Sequence, residues 1–218
     1  MAQQARARKT RAAIIRGAAV AFQKRGYGST SLSDVSAAAG VTKGALYFHF
    51  DSKEALALAI IDAQHEASRT IGRKLLDDNV PGLRAILIMS IELAKQLHDD
   101  PVVSAGVRLT IDAVNFRAPV RGPYLDWMVA CEEFLRRGIS EGDIAPSVDV
   151  SAAAHFIISA FTGVQIVSDV LTGRKDIEQR LVEMWAVILP ALVPAERWNE
   201  LSELPSRIRG EVTGGATG

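Results

Sequence analysis

The chain has 218 residues, 48% apolar and 23% charged, which is ample for a substantial core in one large or two small domains. Its formal net charge of zero hides a split: residues 1–50 hold eight Lys/Arg against one acid, Asp34, and residues 51–218 hold 17 against 24. The split argues against an evenly mixed surface and points to a polyanion-binding head on an acidic body.

A single cysteine, Cys131, excludes an intramolecular disulfide and suits a reducing cytoplasm. The start, "MAQQARARKTRAAII", shows no apolar h-region of a secretory signal. Residues 150–168 contain no Asp, Glu, Lys or Arg. Their Ser, Thr, Gln and His content predicts a buried helix rather than a membrane span.

Helical periodicity runs through the chain. From Thr10 to Lys24, Ala12, Ile15, Ala19 and Phe22 recur at 3–4 spacing, and Gly26 stops that helix. After the turn "GYGST", Thr30 or Ser31 caps a short helix over 32–39, ended by Gly40. Thr42 caps another from Lys43 to about Phe50. Ser52 caps the next, with Glu54 in its first turn, running to about Leu76. Pro81, Pro101 and Pro123 mark helix starts, giving helices near 81–98, 101–113 and 123–139. Two more are predicted at about 149–171 and 176–192. The second carries Leu181, Met184, Trp185, Ile188 and Leu192 on one stripe. No alternating strand pattern stands out. The expected fold is all-α: a three-helix head over 1–53, a larger helical body over 54–200, and a flexible tail over 201–218.

Within the head, a short helix, a glycine turn and a second short helix form a helix-turn-helix pattern. The second helix of such a motif enters the major groove by its N-terminal end. In "VTKGALYFHFDSKEAL", Leu46 and Phe50 share one face, toward Val35 and Phe22, and Lys43 and Tyr47 share another. Thr42, Lys43, Gly44 and Ala45 crowd the entering end. Gly44 and Ala45 allow close approach to bases, and Ala45 suits a thymine methyl. Lys53, opening the next helix, is placed to reach the DNA backbone. Phe48 stays open between packing on the head's edge and pressing on the sugar-phosphate chain.

The stretch "GYGSTSLSDVSAAAGVTKGALYFHFDSKEAL" closely resembles the DNA-binding signature of the tetracycline-repressor (TetR) family. The resemblance spans about residues 10–56 and implies a homodimeric DNA-binding repressor whose helical body takes a small effector. Position by position, it places Lys43, Gly44, Ala45, Tyr47 and His49 on DNA, with Thr30, Ser33 and Lys53 on phosphates. "VTKGALYFHF", "PVVSAGVRL" and "YLDWM" are further similar to the γ-butyrolactone autoregulator receptors of actinomycetes. That implies a lactone or butenolide effector controlling secondary metabolism and a tryptophan, here Trp127, in the pocket. A relative answering to an antibiotic or another lipophilic ligand is the alternative.

The apolar runs "LRAILIMSIELA" and "AAAHFIISAFTGVQIV" suit an apolar cavity with a few polar groups. Gln64, Trp127, Thr162 and Gln165 are the candidate ligand contacts. The resemblance implies dimerisation through the helices at about 149–171 and 176–192, where Ala152, Ala153, Ala160 and Gly163 permit close approach. A dimer of heads would read a pseudo-palindromic operator. Catalysis, cofactor and metal are not expected. His49, His65, His98 and His155 are scattered, Cys131 lacks an obvious partner, and no phosphate loop or dinucleotide motif is present.

Overall fold

A computed structural model of the chain describes residues 2–112, 116 and 120–214. Every regular element among them is helical: α1 Ala2–Arg25, α2 Leu32–Ala39, α3 Lys43–His49, α4 Lys53–Asp77, α5 Gly82–Asp99, α6 Pro101–Asp112, α7 Gly122–Glu141, α8 Val150–Thr172, α9 Ile177–Leu192, α10 Trp198–Leu201 and α11 Leu204–Gly214, with a 3-10 turn at Ala195–Arg197. The elements expected from periodicity are present, with ends moved by one or two residues, except that α1 starts at Ala2, eight residues before the expected Thr10. Residue 113, expected to close the sixth helix, lies outside the described residues.

Two compact units emerge: Met1–Ala67 with Asp99–Val120, and Ser68–His98 with Arg121–Gly218. The boundary expected at residue 53 therefore falls elsewhere. In the first unit α1 packs on α2 and also on α6. Ile14, Ala18, Phe22, Val35, Leu46, Phe50, Leu56 and Ile60 form one core with Ala105 and Leu109 of α6. A Cβ on Gly106 would come 2.5 Å from the Gln64 Cβ, so α4 and α6 meet there almost backbone to side chain. The head's core is thus completed by a helix some fifty residues downstream, which no local pattern announces.

In the second unit Trp185 is fully buried and donates its indole N–H to the Ser90 hydroxyl at 2.9 Å. The α8–α9 turn is closed by Gly173 in the left-handed region and by Asp176, which accepts from Ser168, Thr172 and Arg180. The flexible tail expected over 201–218 is corrected as far as residue 214 by two further helices; residues 215–218 lie outside the described residues. Leu201, Leu204 and Ile208 are buried, Lys95 donates to the Val212 carbonyl, and Arg84 pairs with Glu211. The 3- and 4-residue spacing of those apolar positions was readable, but the glycine-rich end masked it.

A second correction concerns α8. Its mean hydropathy of 1.6 passes the test for a span, yet only 17% of its apolar window is buried within the chain. Ala154, Ile157, Gln165 and Ser168 face inward, while Phe156, Val167, Val170 and Leu171 are exposed. The helix is not the buried core element expected; it carries an uncovered apolar face.

Candidate DNA-binding site

Local chemistry builds the helix-turn-helix. Ser31 and Asp34 form a capping box: the Ser31 hydroxyl accepts from the Asp34 N–H, and the Asp34 carboxylate accepts from the Ser31 N–H. Those Ser31 hydrogen bonds, seconded by Arg25, hold the Asp34 carboxyl below its usual range. α2 ends on Gly40, whose φ of +63° is the left-handed conformation that glycine adopts without strain. Its N–H and that of Val41 turn back to Ala37 and Ser36 carbonyls. Thr42 then caps α3 by accepting from the Ala45 N–H at 3.1 Å.

α3 divides into anchor and reader. Leu46 and Phe50 are buried, while Thr42, Lys43, Gly44, Tyr47 and Phe48 are exposed and Ala45 and His49 are half-buried. Tyr47 is 55% and Phe48 81% exposed, the largest apolar exposures of the head. Phe48 is largely free of the head's core; its ring stands nearly perpendicular to that of His49, at 5.2 Å between centroids. Nothing but the Thr42 hydroxyl, at 4.0 Å, lies near a Cβ built on Gly44, so the fold itself does not require glycine there.

Two residues expected on phosphates are committed elsewhere. The Thr30 hydroxyl is 2% exposed and donates to the Gly26 carbonyl at 2.8 Å. The Lys53 ammonium donates to the carbonyls of Tyr27, Gly28 and Thr30 at 2.9, 3.1 and 3.2 Å and sits 4.6 Å from the Tyr27 ring centroid. Lysine has three donors, and this turn takes all of them. Ser33 remains exposed. Sequence reasoning missed Arg11, whose guanidinium lies 5.2 Å over the Phe50 ring.

Of the candidate effector residues, Gln64 belongs to the first unit and Trp127, Thr162 and Gln165 to the second. Gln64 is fully buried in the first unit, against Gly106. In the second unit, Trp127 meets Tyr124 edge-on at 5.3 Å, and the Tyr124 hydroxyl is hydrogen-bonded with Thr162. Burial raises the Tyr124 pKa, keeping it a neutral phenol. Gln165, inside α8, accepts from the buried Arg174 of the α8–α9 turn at 3.1 Å. Tyr124 was not anticipated; its place one turn before Trp127 in "YLDWM" was the signal. The Cys131 thiol is buried, and desolvation, with Glu132 beside it, pushes its pKa to about 12, so it is no nucleophile.

A capped helix-turn-helix ahead of an all-helical body defines a helix-turn-helix transcriptional regulator. Residues 14–60 match the model described as bacterial regulatory proteins, tetR family, and residues 80–194 match the tetracyclin repressor-like C-terminal domain, so the chain belongs to the TetR family. It is 38% identical over 192 residues to the A-factor receptor protein of Streptomyces griseus, covering 88% of this chain and 67% of that one. A crystal structure of a gamma-butyrolactone receptor (ArpA-like protein) superposes with a TM-score of 0.82 at 35% identity, covering 94% of this chain and 99% of that one. CprB from Streptomyces coelicolor, in complex with its operator sequence, gives 0.79 at 36% identity over the same shares.

Proposed function

We propose that the protein is a homodimeric repressor that holds a pseudo-palindromic operator and releases it when a γ-butyrolactone-class signal occupies the helical body. The observation that carries this reading is the 38% identity to a receptor for A-factor over 88% of the chain, extending well beyond the DNA-binding motif. The regulator acts in the cytoplasm, and no catalytic role is assigned to it.

In this reading Lys43, Gly44, Ala45, Tyr47 and His49 meet bases and backbone in the major groove, with Thr42 and Ser33 at its rim. Exposure supports the assignment: the Lys43 and Tyr47 side chains are both open to solvent. The Tyr124–Trp127–Thr162 set supplies an aromatic wall and a hydroxyl for a lactone. Two protomers associate through α8 and α9, whose exposed faces form an apolar groove of about 500 Å³ lined by Phe156, Ala160, Gly163, Val167, Leu171 and Val187, among others. Two heads then address successive major grooves about 34–36 Å apart.

Release is a population shift: the ligand must bind the DNA-incompetent state better than the competent one. A 100-fold loss of affinity needs a coupling of only about 2.8 kcal/mol. α4 has its first 15 residues in the first unit and its last ten in the second, which suits it to carry the coupling.

The test selects bound sites from random DNA, then titrates γ-butyrolactones into the complex and follows the electrophoretic shift. Release at micromolar or lower lactone supports the reading. Release only by an antibiotic or another lipophile reassigns the ligand, and no release by any ligand removes the effector step.

A further inference from the structure

The first half of α1 poses a question that the helix-turn-helix does not answer. Residues 3–13 contain no buried side chain; the first is Ile14. These three turns, about 16 Å of helix at 1.5 Å per residue, are not held by the core. They carry Arg6, Arg8, Lys9 and Arg11, and the first turn has no acid. Among the described residues, none of Arg6, Arg8 and Lys9 is paired with a carboxylate. Arg6 and Lys9 are three apart, as are Arg8 and Arg11, and like charges at that spacing repel along a helix face. The segment is therefore a solvated helix whose charges work against it until a polyanion neutralises them.

We infer that residues 2–11 form a second DNA-binding element, a basic helix lying along phosphates that flank the major-groove site. This rests on the DNA-binding reading of α3. Continuity with that site selects DNA over other polyanions. Arg11 lies over Phe50, the C-cap of α3, so the basic stretch adjoins the C-terminal end of the reading helix. Arg6 stands about 8 Å further along, at 1.5 Å per residue. Arg8 and Lys9 lie between, presenting cations on both flanks of the helix. Such contacts add affinity and salt dependence but no sequence information.

The experiment measures operator affinity against salt for the full chain and for the triple variant Arg6→Gln, Arg8→Gln, Lys9→Gln. The expected result is a shallower log K against log[salt] slope, by roughly 2 to 5 for a dimer at about 0.9 per phosphate contact. The ratio of operator to random-DNA affinity should stay the same. The charge-keeping variant Arg6→Lys, Arg8→Lys should retain the parental slope. Circular dichroism and sedimentation confirm that each variant remains folded and dimeric. An unchanged slope in the triple variant, while Lys43→Ala still loses operator binding, overturns the inference and leaves the major-groove site standing. So does an unchanged slope accompanied by loss of binding to vesicles of anionic lipid, which would make the helix a membrane contact. If the parent chain selects no DNA at all, the reading of α3 fails and this inference with it.

Discussion

The Lys53 ammonium donates to the Tyr27 carbonyl at 2.9 Å and lies 4.6 Å from the centroid of the same residue's ring. One side chain at the start of α4 thus grips the backbone of the turn between α1 and α2, and it also reaches the Gly28 and Thr30 carbonyls. Tyr27 is itself wedged between Phe22, at 5.4 Å, and Phe116, at 5.2 Å. Hydrogen bonds from a charged donor are worth about 1.5–3 kcal/mol each when well made, less where water competes. Lys53→Ala should therefore lower stability by about 1–3 kcal/mol and weaken operator binding by loosening the turn that precedes α2. The slope of affinity against salt should hardly change, because no phosphate contact is removed. Urea unfolding and a salt series of binding isotherms measure both. A slope shallower by about 1–2 per dimer, with unaltered stability, would return Lys53 to the phosphates.

Two glycines on neighbouring helices make a paired test of packing against recognition. A Cβ on Gly17 would lie 2.6 Å from Ala39, whereas a Cβ on Gly44 would have only the Thr42 hydroxyl near it, at 4.0 Å. Gly17→Ala should force α1 and α2 apart and cost about 1–3 kcal/mol. Gly44→Ala should leave stability unchanged or raise it by up to about 1 kcal/mol, since alanine is the better helix former. If α3 enters the groove by this end, Gly44→Ala nonetheless lowers operator affinity. A variant that is stable and binds normally would move the close approach away from Gly44.

Much of the head was legible because its signals are local. Ser31, Gly40, Thr42 and Ser52 each satisfy or end a helix terminus within four residues, so a capping argument finds them. The division of α3 into Leu46–Phe50 and Lys43–Tyr47 faces follows from 3.6 periodicity alone. What escaped depends on contacts distant in sequence. The fate of Lys53 is decided by carbonyls more than twenty residues away, and that of Gln165 by Arg174, nine residues on in the α8–α9 turn. α6 joining the head's core is a contact of the same kind. The apolar surface of α8 reads as core in a sequence, since a face covered by a second protomer and one covered by the same chain have the same composition.

That uncovered face yields the next expectation. Val187 is 78% exposed and borders the apolar groove between α8 and α9. A carboxylate there costs the isolated chain little, but in a dimer through α8 and α9 it would be buried. Val187→Glu should shift sedimentation from dimer toward monomer with the far-ultraviolet spectrum unchanged. Operator affinity should drop by at least tenfold, since one head covers only a half-site. A variant that sediments as a dimer at the parental affinity places the interface elsewhere.

Asp176 gives a pH dependence whose sign can be worked out. Hydrogen bonds from the Ser168 and Thr172 hydroxyls, followed by that from Arg180, hold its carboxyl well below the usual carboxylate range. A carboxyl whose folded pKa is depressed binds its proton more weakly folded than unfolded. Its stabilisation is full above the unfolded pKa of about 3.8, and it declines as the pH falls below that value toward the folded one. Asp176→Asn removes the charge but preserves the shape. The variant should unfold at lower urea than the parent at pH 7, and the gap should narrow steadily between pH 5 and pH 3. Protein concentration must be held fixed, because dimerisation contributes to the apparent stability. A gap that is constant across this range would mean that the α8–α9 turn is held by shape and neutral hydrogen bonds, with no contribution from the ionised carboxylate.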